Sequence, residues 1–130
     1  MDVIKFEIPN NTLERTYYAE PFPKELKKLF GKSKIEHQEY MVYLANCLKD
    51  LERSSKRLTE PPYELLTVDN YEIYRIKSKS KKKNVRVLYI YVPNDGQDNI
   101  VLLCAFQEQN NSDYKNSIRI AKQRIKEIGG

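Results

Sequence analysis

Arg75, Lys77 and Arg86 stand in a stretch whose chemistry suits a grip on phosphate. From Arg75 to Arg86 there are seven lysines and arginines and no aspartate or glutamate. Tyr71-Glu-Ile-Tyr-Arg-Ile-Lys-Ser78 alternates. A strand here sets Tyr71, Ile73, Arg75, Lys77 and Lys79 on one face and Glu72, Tyr74 and Ile76 on the other. The turn that follows, Ser78-Lys-Ser-Lys-Lys-Lys-Asn84, supplies Lys79, Lys81, Lys82 and Lys83. The bland reading is a solvated turn, since lysine also guards sheet edges. Clustering without an acid favours contact with nucleic acid. Arg86 has two readings: a cross-strand pair with Glu72, or a phosphate contact through its planar fork. Tyr114 opens an apolar helical stripe and reads equally as a core tyrosine or a functional one.

Three strands must position these groups. The first is the Tyr71–Ser78 segment. Val85-Arg-Val-Leu-Tyr-Ile-Tyr-Val92 is β-branched and aromatic, as strands prefer. Ile100-Val-Leu-Leu-Cys-Ala-Phe106 is a continuous apolar run, expected of a strand buried on both faces. Between these last two, Asn94-Asp-Gly96 supplies turn chemistry.

Val3 to Ile8 alternates and reads as a first strand, ended by Pro9. Residues 12–20 read as a short helix or an extended arm. Pro21-Phe-Pro23 starts a short helix stopped by Gly31. Ser33-Lys-Ile-Glu36 is a capping box, and the helix after it is expected to run to about Leu58 on an apolar stripe of Tyr40, Leu44, Cys47, Leu48 and Leu51. Pro61-Pro62 stops it, and Tyr63-Glu-Leu-Leu66 leads into the meander. A last helix, capped by Ser112 or Asp113, carries Tyr114, Ile118, Ala121, Ile125 and Ile128 at helical spacing. Its outer face is basic through Lys115, Arg119, Lys122, Arg124 and Lys126. The expected fold is α+β: an N-terminal strand, two helical segments, an antiparallel three-stranded meander and a C-terminal helix in a single domain over 1–130. The helices are expected to cover one sheet face and leave the other free for function.

Composition narrows the function classes. The chain has 130 residues, 40% apolar and 32% charged, with a net charge of +5. That balance describes a globular protein and favours acidic partners, nucleic acid first. No apolar run approaches a membrane span, and Met1-Asp-Val-Ile-Lys5 lacks the order of a signal peptide. A cytoplasmic protein, of a cell or a phage, is expected, with no membrane partner. Cys47 and Cys104 sit in apolar periodic segments and read as small buried hydrophobes. A single histidine, His37, with no Cys-x-x-Cys partner offers no zinc motif, and no glycine-rich phosphate loop is present. Neither metal nor cofactor is expected.

Taken in order, these segments resemble the RelE/ParE superfamily of type II toxins, and its RelE- and HigB-like members most. Tyr71-Glu-Ile-Tyr-Arg75 resembles that family's "leu-tyr-glu-leu-arg" strand, and Val85-Arg-Val-Leu-Tyr89 its "tyr-arg-ile-leu-tyr" strand. Ile100 to Phe106 is similar to its last strand, and Ala121-Lys-Gln-Arg124 to the "ala-x-x-arg" of its closing helix. The resemblance covers residues 24 to 128. It implies a RelE-like fold and a ribosome-dependent mRNA endoribonuclease, an mRNA interferase that inhibits translation and is neutralised by a cognate antitoxin. It implies a catalytic set of Arg75, Lys77, Arg86 and Tyr114, with Lys79, Lys81, Lys82 and Lys83 as RNA contacts. Where the family has a basic pair or an arginine after the final strand, this chain has Gln107-Glu108-Gln109. The alternatives are a non-catalytic binder of nucleic acid or a partner on the same fold, and less favoured, a ParE-like gyrase poison. Cleavage of this kind needs no external nucleophile, because the 2′-hydroxyl lies beside the phosphate. Dense positive charge stabilises the phosphorane, and a lysine with its pKa lowered by neighbouring cations serves as base.

Overall fold

The computed structural model describes residues 1–8, 13–78 and 83–129. Its elements are β1 (Val3–Lys5), β2 (Thr16–Ala19), α1 (Phe22–Phe30), α2 (Lys34–Arg53), β3 (Tyr63–Val68), β4 (Tyr71–Lys77), β5 (Val85–Asn94), β6 (Gln97–Gln107) and α3 (Asn111–Gly129). The class is α+β, as the sequence implies. The sheet is larger than a three-stranded meander: six strands lie in the order β1-β2-β6-β5-β4-β3.

Local chemistry explains the antiparallel run from β3 to β6. Asp95 and Gly96 both take positive φ, 50° and 80°, which a two-residue turn matched to strand twist requires. The β5–β6 ladder therefore runs out to Asn94 and Gln97, beyond the expected Val92 and Ile100. Asp69, at φ 54°, turns β3 into β4, so that Val68 faces Tyr71 and Glu64 faces Arg75. Tyr63-Glu-Leu-Leu66 is thus a strand rather than a lead-in. The ambiguous arm resolves as β2, which runs parallel to β6 with Tyr17 opposite Val101. Its anchor is Glu52 of α2. That carboxylate accepts from the backbone N–H groups of Glu14 and Arg15 at 2.9 and 3.0 Å and from the Thr16 hydroxyl at 2.6 Å.

One half of the expected capping box forms, the Ser33 hydroxyl accepting from the Glu36 N–H at 3.3 Å; the Ser33 N–H donates instead to the Phe30 carbonyl at 3.0 Å, and the Glu36 carboxylate pairs with Lys83. α2 ends at Arg53 rather than Leu58, because Ser54 takes extended backbone and its hydroxyl turns to Lys56. At the other end of the chain Asn110 and Asp113 cap α3 reciprocally, each side chain accepting from the other's backbone N–H at 3.1 Å.

Both faces of the sheet are covered, which corrects the expectation of one free face. α1 and α2 bring Phe22, Leu26, Leu44 and Leu48 onto Tyr74, Ile76, Val87, Tyr89 and Leu102. α3 brings Ala121, Ile118 and Ile125 onto Ile73, Leu88, Val101, Leu103 and Phe106. The reason is in β6: a central strand that is apolar at every position from Ile100 to Phe106 exposes greasy surface on both sides unless both are packed. β6 also carries a bulge. Leu88 faces Cys104 but Tyr89 faces Leu102, so Leu103 is the extra residue. Its carbonyl, outside the ladder, accepts from Arg124 at 2.7 Å, and Arg124 pairs in turn with Glu25 of α1 at 2.6 Å. Arg124 therefore points inward and does not belong to the basic outer face of α3. Cys47 and Cys104 are both buried, and no disulfide joins them.

Candidate functional site

Strand alternation and register build the site. Arg75 and Lys77 share the α3-side face of β4 with Ile73. Lys77 lies directly opposite Arg86 of β5, and Arg86 lies opposite Phe106 of β6. Three cations thus stand side by side at one end of the central sheet. The α3 cap aims the first helical turn at the same place. Tyr114 lies edge-on to Phe106, with ring centroids 5.6 Å apart, and the Arg75 guanidinium sits 5.1 Å from the Tyr114 ring.

Two carboxylates complete the cluster. Glu64 of β3 pairs with Arg75 and lies 3.6 Å from Lys77. Glu108, just past β6, is 3.2 Å from both Nε and Nη2 of Arg86 and 4.0 Å from Arg75. Glu108 is fixed by its backbone, whose N–H donates to the Asn84 carbonyl at 2.9 Å. The side chains of Arg75 and Arg86 are only 9% and 11% exposed. Charges so enclosed need partners, so these are not solubility residues. The acid-free stretch is therefore not acid-free in space. Three cations facing two carboxylates leave one net positive charge.

The same geometry corrects the reading of Arg86 as a partner of Glu72. Glu72 lies on the opposite sheet face and at the other end of β4, and pairs with Arg57 at 3.3 Å. Lys79, Lys81 and Lys82 lie outside the described residues. Lys83 turns towards the helices: its ammonium donates to the Leu29 carbonyl at 3.1 Å, pairs with Glu36 at 3.2 Å and lies 5.2 Å from the Phe30 ring.

Two donors in the cluster remain open. Arg75 Nε and the Tyr114 hydroxyl are buried and have no well-aligned hydrogen-bond partner among the described residues. Burial pushes the Tyr114 phenol up to about 12, against a pull downward from Arg75. At neutral pH it is a proton-bearing donor and not a base. His37 is stacked on Phe30, 5.5 Å between ring centroids, and takes no part. Among the described residues no group of three His, Cys, Asp or Glu side chains is placed to hold a metal ion. Among the described residues no helix is long and apolar enough to cross a membrane.

The cations were legible in the sequence and the carboxylates were not. The signal for Glu64 was present: counting back from a two-residue Asp69-Asn70 turn sets it against Arg75. Glu108 was visible only as a departure, with nothing to say which cation it would meet.

Comparison with protein families matches residues 24–126 to the family described as phage derived protein Gp49-like (DUF891). No curated protein and no solved structure matches the chain. The matched segment runs from α1 to the last turn of α3 and holds every residue of the cluster. This chain belongs to the phage-derived Gp49-like family, which agrees with a toxin of a toxin–antitoxin pair and so with a cognate antitoxin as partner.

Proposed function

We propose that this protein is a translation-inhibiting toxin that cleaves mRNA on the ribosome, and that Arg75, Lys77, Arg86 and Tyr114 surround the scissile phosphate. The observation that carries the reading is the convergence of three cations with two unfilled donors, Arg75 Nε and the Tyr114 hydroxyl. A non-bridging phosphate oxygen supplies the acceptors that these donors lack. Arg86 grips the phosphate after exchanging its pairing with Glu108. The 2′-hydroxyl oxygen attacks phosphorus, the bond to the 5′-oxygen breaks, and the products are a 2′,3′-cyclic phosphate and a 5′-hydroxyl. With no histidine in the cluster, the Glu64 carboxylate takes the 2′ proton. Lys77, 3.6 Å from it, returns a proton to the leaving oxygen. This replaces the lysine base expected from the sequence, because a carboxylate already stands within reach. The arginines and the phenol stabilise the charge that grows on the phosphorane.

Glu108 favours a second reading. A carboxylate already fills the Arg86 fork, so the protein could occupy RNA or a partner without cutting it. Expression in growing cells separates the two outcomes. The nuclease reading expects growth arrest, relief by the antitoxin encoded beside it, and relief by Arg86→Ala in a protein that circular dichroism finds folded. Full toxicity of a folded Arg86→Ala protein removes Arg86 from the site.

A further inference from the structure

We infer that the outer face of α3 is a track for the RNA strand that continues away from the candidate site. The inference rests on the phosphate-gripping reading of that site and adds a second contact surface to it. α3 holds five cations and two acids, a net +3 of the chain's +5. Arg124 is taken inward by Glu25 and Leu103. The other four, Lys115, Arg119, Lys122 and Lys126, are spaced four, three and four residues apart. At about 100° per residue they fall within an arc of roughly 60° on one side of the helix. They line a groove of about 450 Å³ with Ile118 and Gln123. The stripe is roughly 16 Å long at 1.5 Å per residue. Its first member follows Tyr114 directly, so it begins at the cluster and leads off from it.

The arrangement costs the helix stability. Like charges four apart, Lys115 with Arg119 and Lys122 with Lys126, repel. A solvated helix face built for solubility interleaves both signs and avoids that cost. Here Asp113 is committed to the N-terminal cap and Glu127 accepts from Gln123 at 3.2 Å. Asp69 pairs with Lys122 and is also felt by Lys126, so one carboxylate serves two cations, and Lys115 and Arg119 form no ion pair among the described residues. A row of cations in excess of its acids is the feature that a phosphate backbone satisfies.

The chemistry favours RNA over an acidic protein segment. A docked helix or strand takes its affinity from apolar anchors seated in pockets. The groove offers one half-buried isoleucine, Ile118. The exposed large hydrophobics, Ile35, Val42, Met1, Ile4 and Val92, all lie outside α3.

The test measures binding of single-stranded RNA with 2′-O-methyl sugars, which cannot be cut. Fluorescence anisotropy is followed against salt for a trinucleotide and for an oligonucleotide long enough to span the stripe. The variant is Lys115→Gln with Arg119→Gln and Lys126→Gln, since glutamine keeps helix propensity and Lys122 is left with Asp69. For the long oligonucleotide the log–log salt slope should shrink by about 2, at about 0.7 per lost contact. Trinucleotide binding should be unchanged, and the thermal midpoint should not fall, since the variant removes two like-charge pairs. An unchanged slope with the long RNA overturns the inference, as does an equal loss with the trinucleotide, which is only a diffuse field. Weakened antitoxin binding with an unchanged RNA slope also overturns it and assigns the face to protein. Arg86→Ala run beside it keeps the two ideas apart. Loss of trinucleotide binding there supports the site whatever the stripe does, and no loss rejects the site reading even if the stripe holds.

Discussion

At the scale of single residues, the chemistry of the cluster depends on which charges meet. The sequence displays Arg75, Lys77 and Arg86 as a strand pattern, and alternation alone is enough to put Arg75 and Lys77 on one face. What it hides is pairing across strands. Glu64 meets Arg75 only through the β3–β4 register, and Glu108 meets Arg86 only because the chain leaves β6 beside Asn84. Glu108 then has two effects of opposite sign. It stabilises the fold by satisfying an arginine that is 11% exposed, and, on the proposed function, it competes with phosphate for that arginine. Glu108→Gln should therefore lower stability by about 1 kcal/mol, as expected for a lost charge-assisted hydrogen bond, read as a shift in denaturant midpoint. The same change should raise affinity for single-stranded RNA several-fold, since one such repulsion near a surface is worth on the order of 1 kcal/mol. An affinity that falls with the charge removed would mean that Glu108 helps to hold RNA and is not in its way.

At the scale of elements, helices and hairpins were legible and distant partnerships were not. Ser33-Lys-Ile-Glu36 announced α2, and Asn94-Asp-Gly96 announced the β5–β6 turn, because caps and turns are local chemistry. The parallel pairing of β2 with β6 has no local signal, since it joins residues more than eighty positions apart. The β6 bulge was equally silent, yet it sets the role of Arg124. That guanidinium ties α3 to the Leu103 carbonyl and to Glu25 of α1, and holds the helix whose first turn presents Tyr114. Arg124→Gln should cost about 2 kcal/mol, reduced from a fully buried pair because Glu25 stays partly exposed. Chemical denaturation measures it, and a double-mutant cycle with Glu25→Gln isolates the pair. A cost below a few tenths of a kcal/mol would make the bulge carbonyl self-sufficient and Arg124 a surface residue.

At the scale of the whole molecule, the covering of both sheet faces confines the site to the sheet end beyond the first turn of α3. The apolar run of β6 already implied two covered faces, and the hairpin-first reading of the strands left that implication unused. The two packed layers also enclose tyrosines. Burial raises the phenol pKa of Tyr40, Tyr43, Tyr63, Tyr89, Tyr91 and Tyr114 above the ordinary 10.0. The folded state thus keeps these protons longer than the unfolded chain does. The stability they contribute is complete below pH 10 and is lost as the pH climbs towards 12, where Tyr91 and Tyr114 ionise. Phenolate absorbance from these side chains should therefore rise together with the loss of near-ultraviolet circular dichroism. Complete ionisation in a protein that is still folded would contradict the burial.

The claim at the centre is that the Arg75–Lys77–Arg86–Tyr114 cluster cuts RNA on the ribosome. Primer extension on mRNA from cells expressing the protein tests it most directly, with a folded Arg86→Ala protein expressed to the same level. The expected result is new 5′ ends within translated sequence, bearing a 5′-hydroxyl, that vanish when the transcript cannot be translated and vanish with Arg86→Ala. Growth arrest without any new 5′ ends, or the same ends from Arg86→Ala, would contradict it.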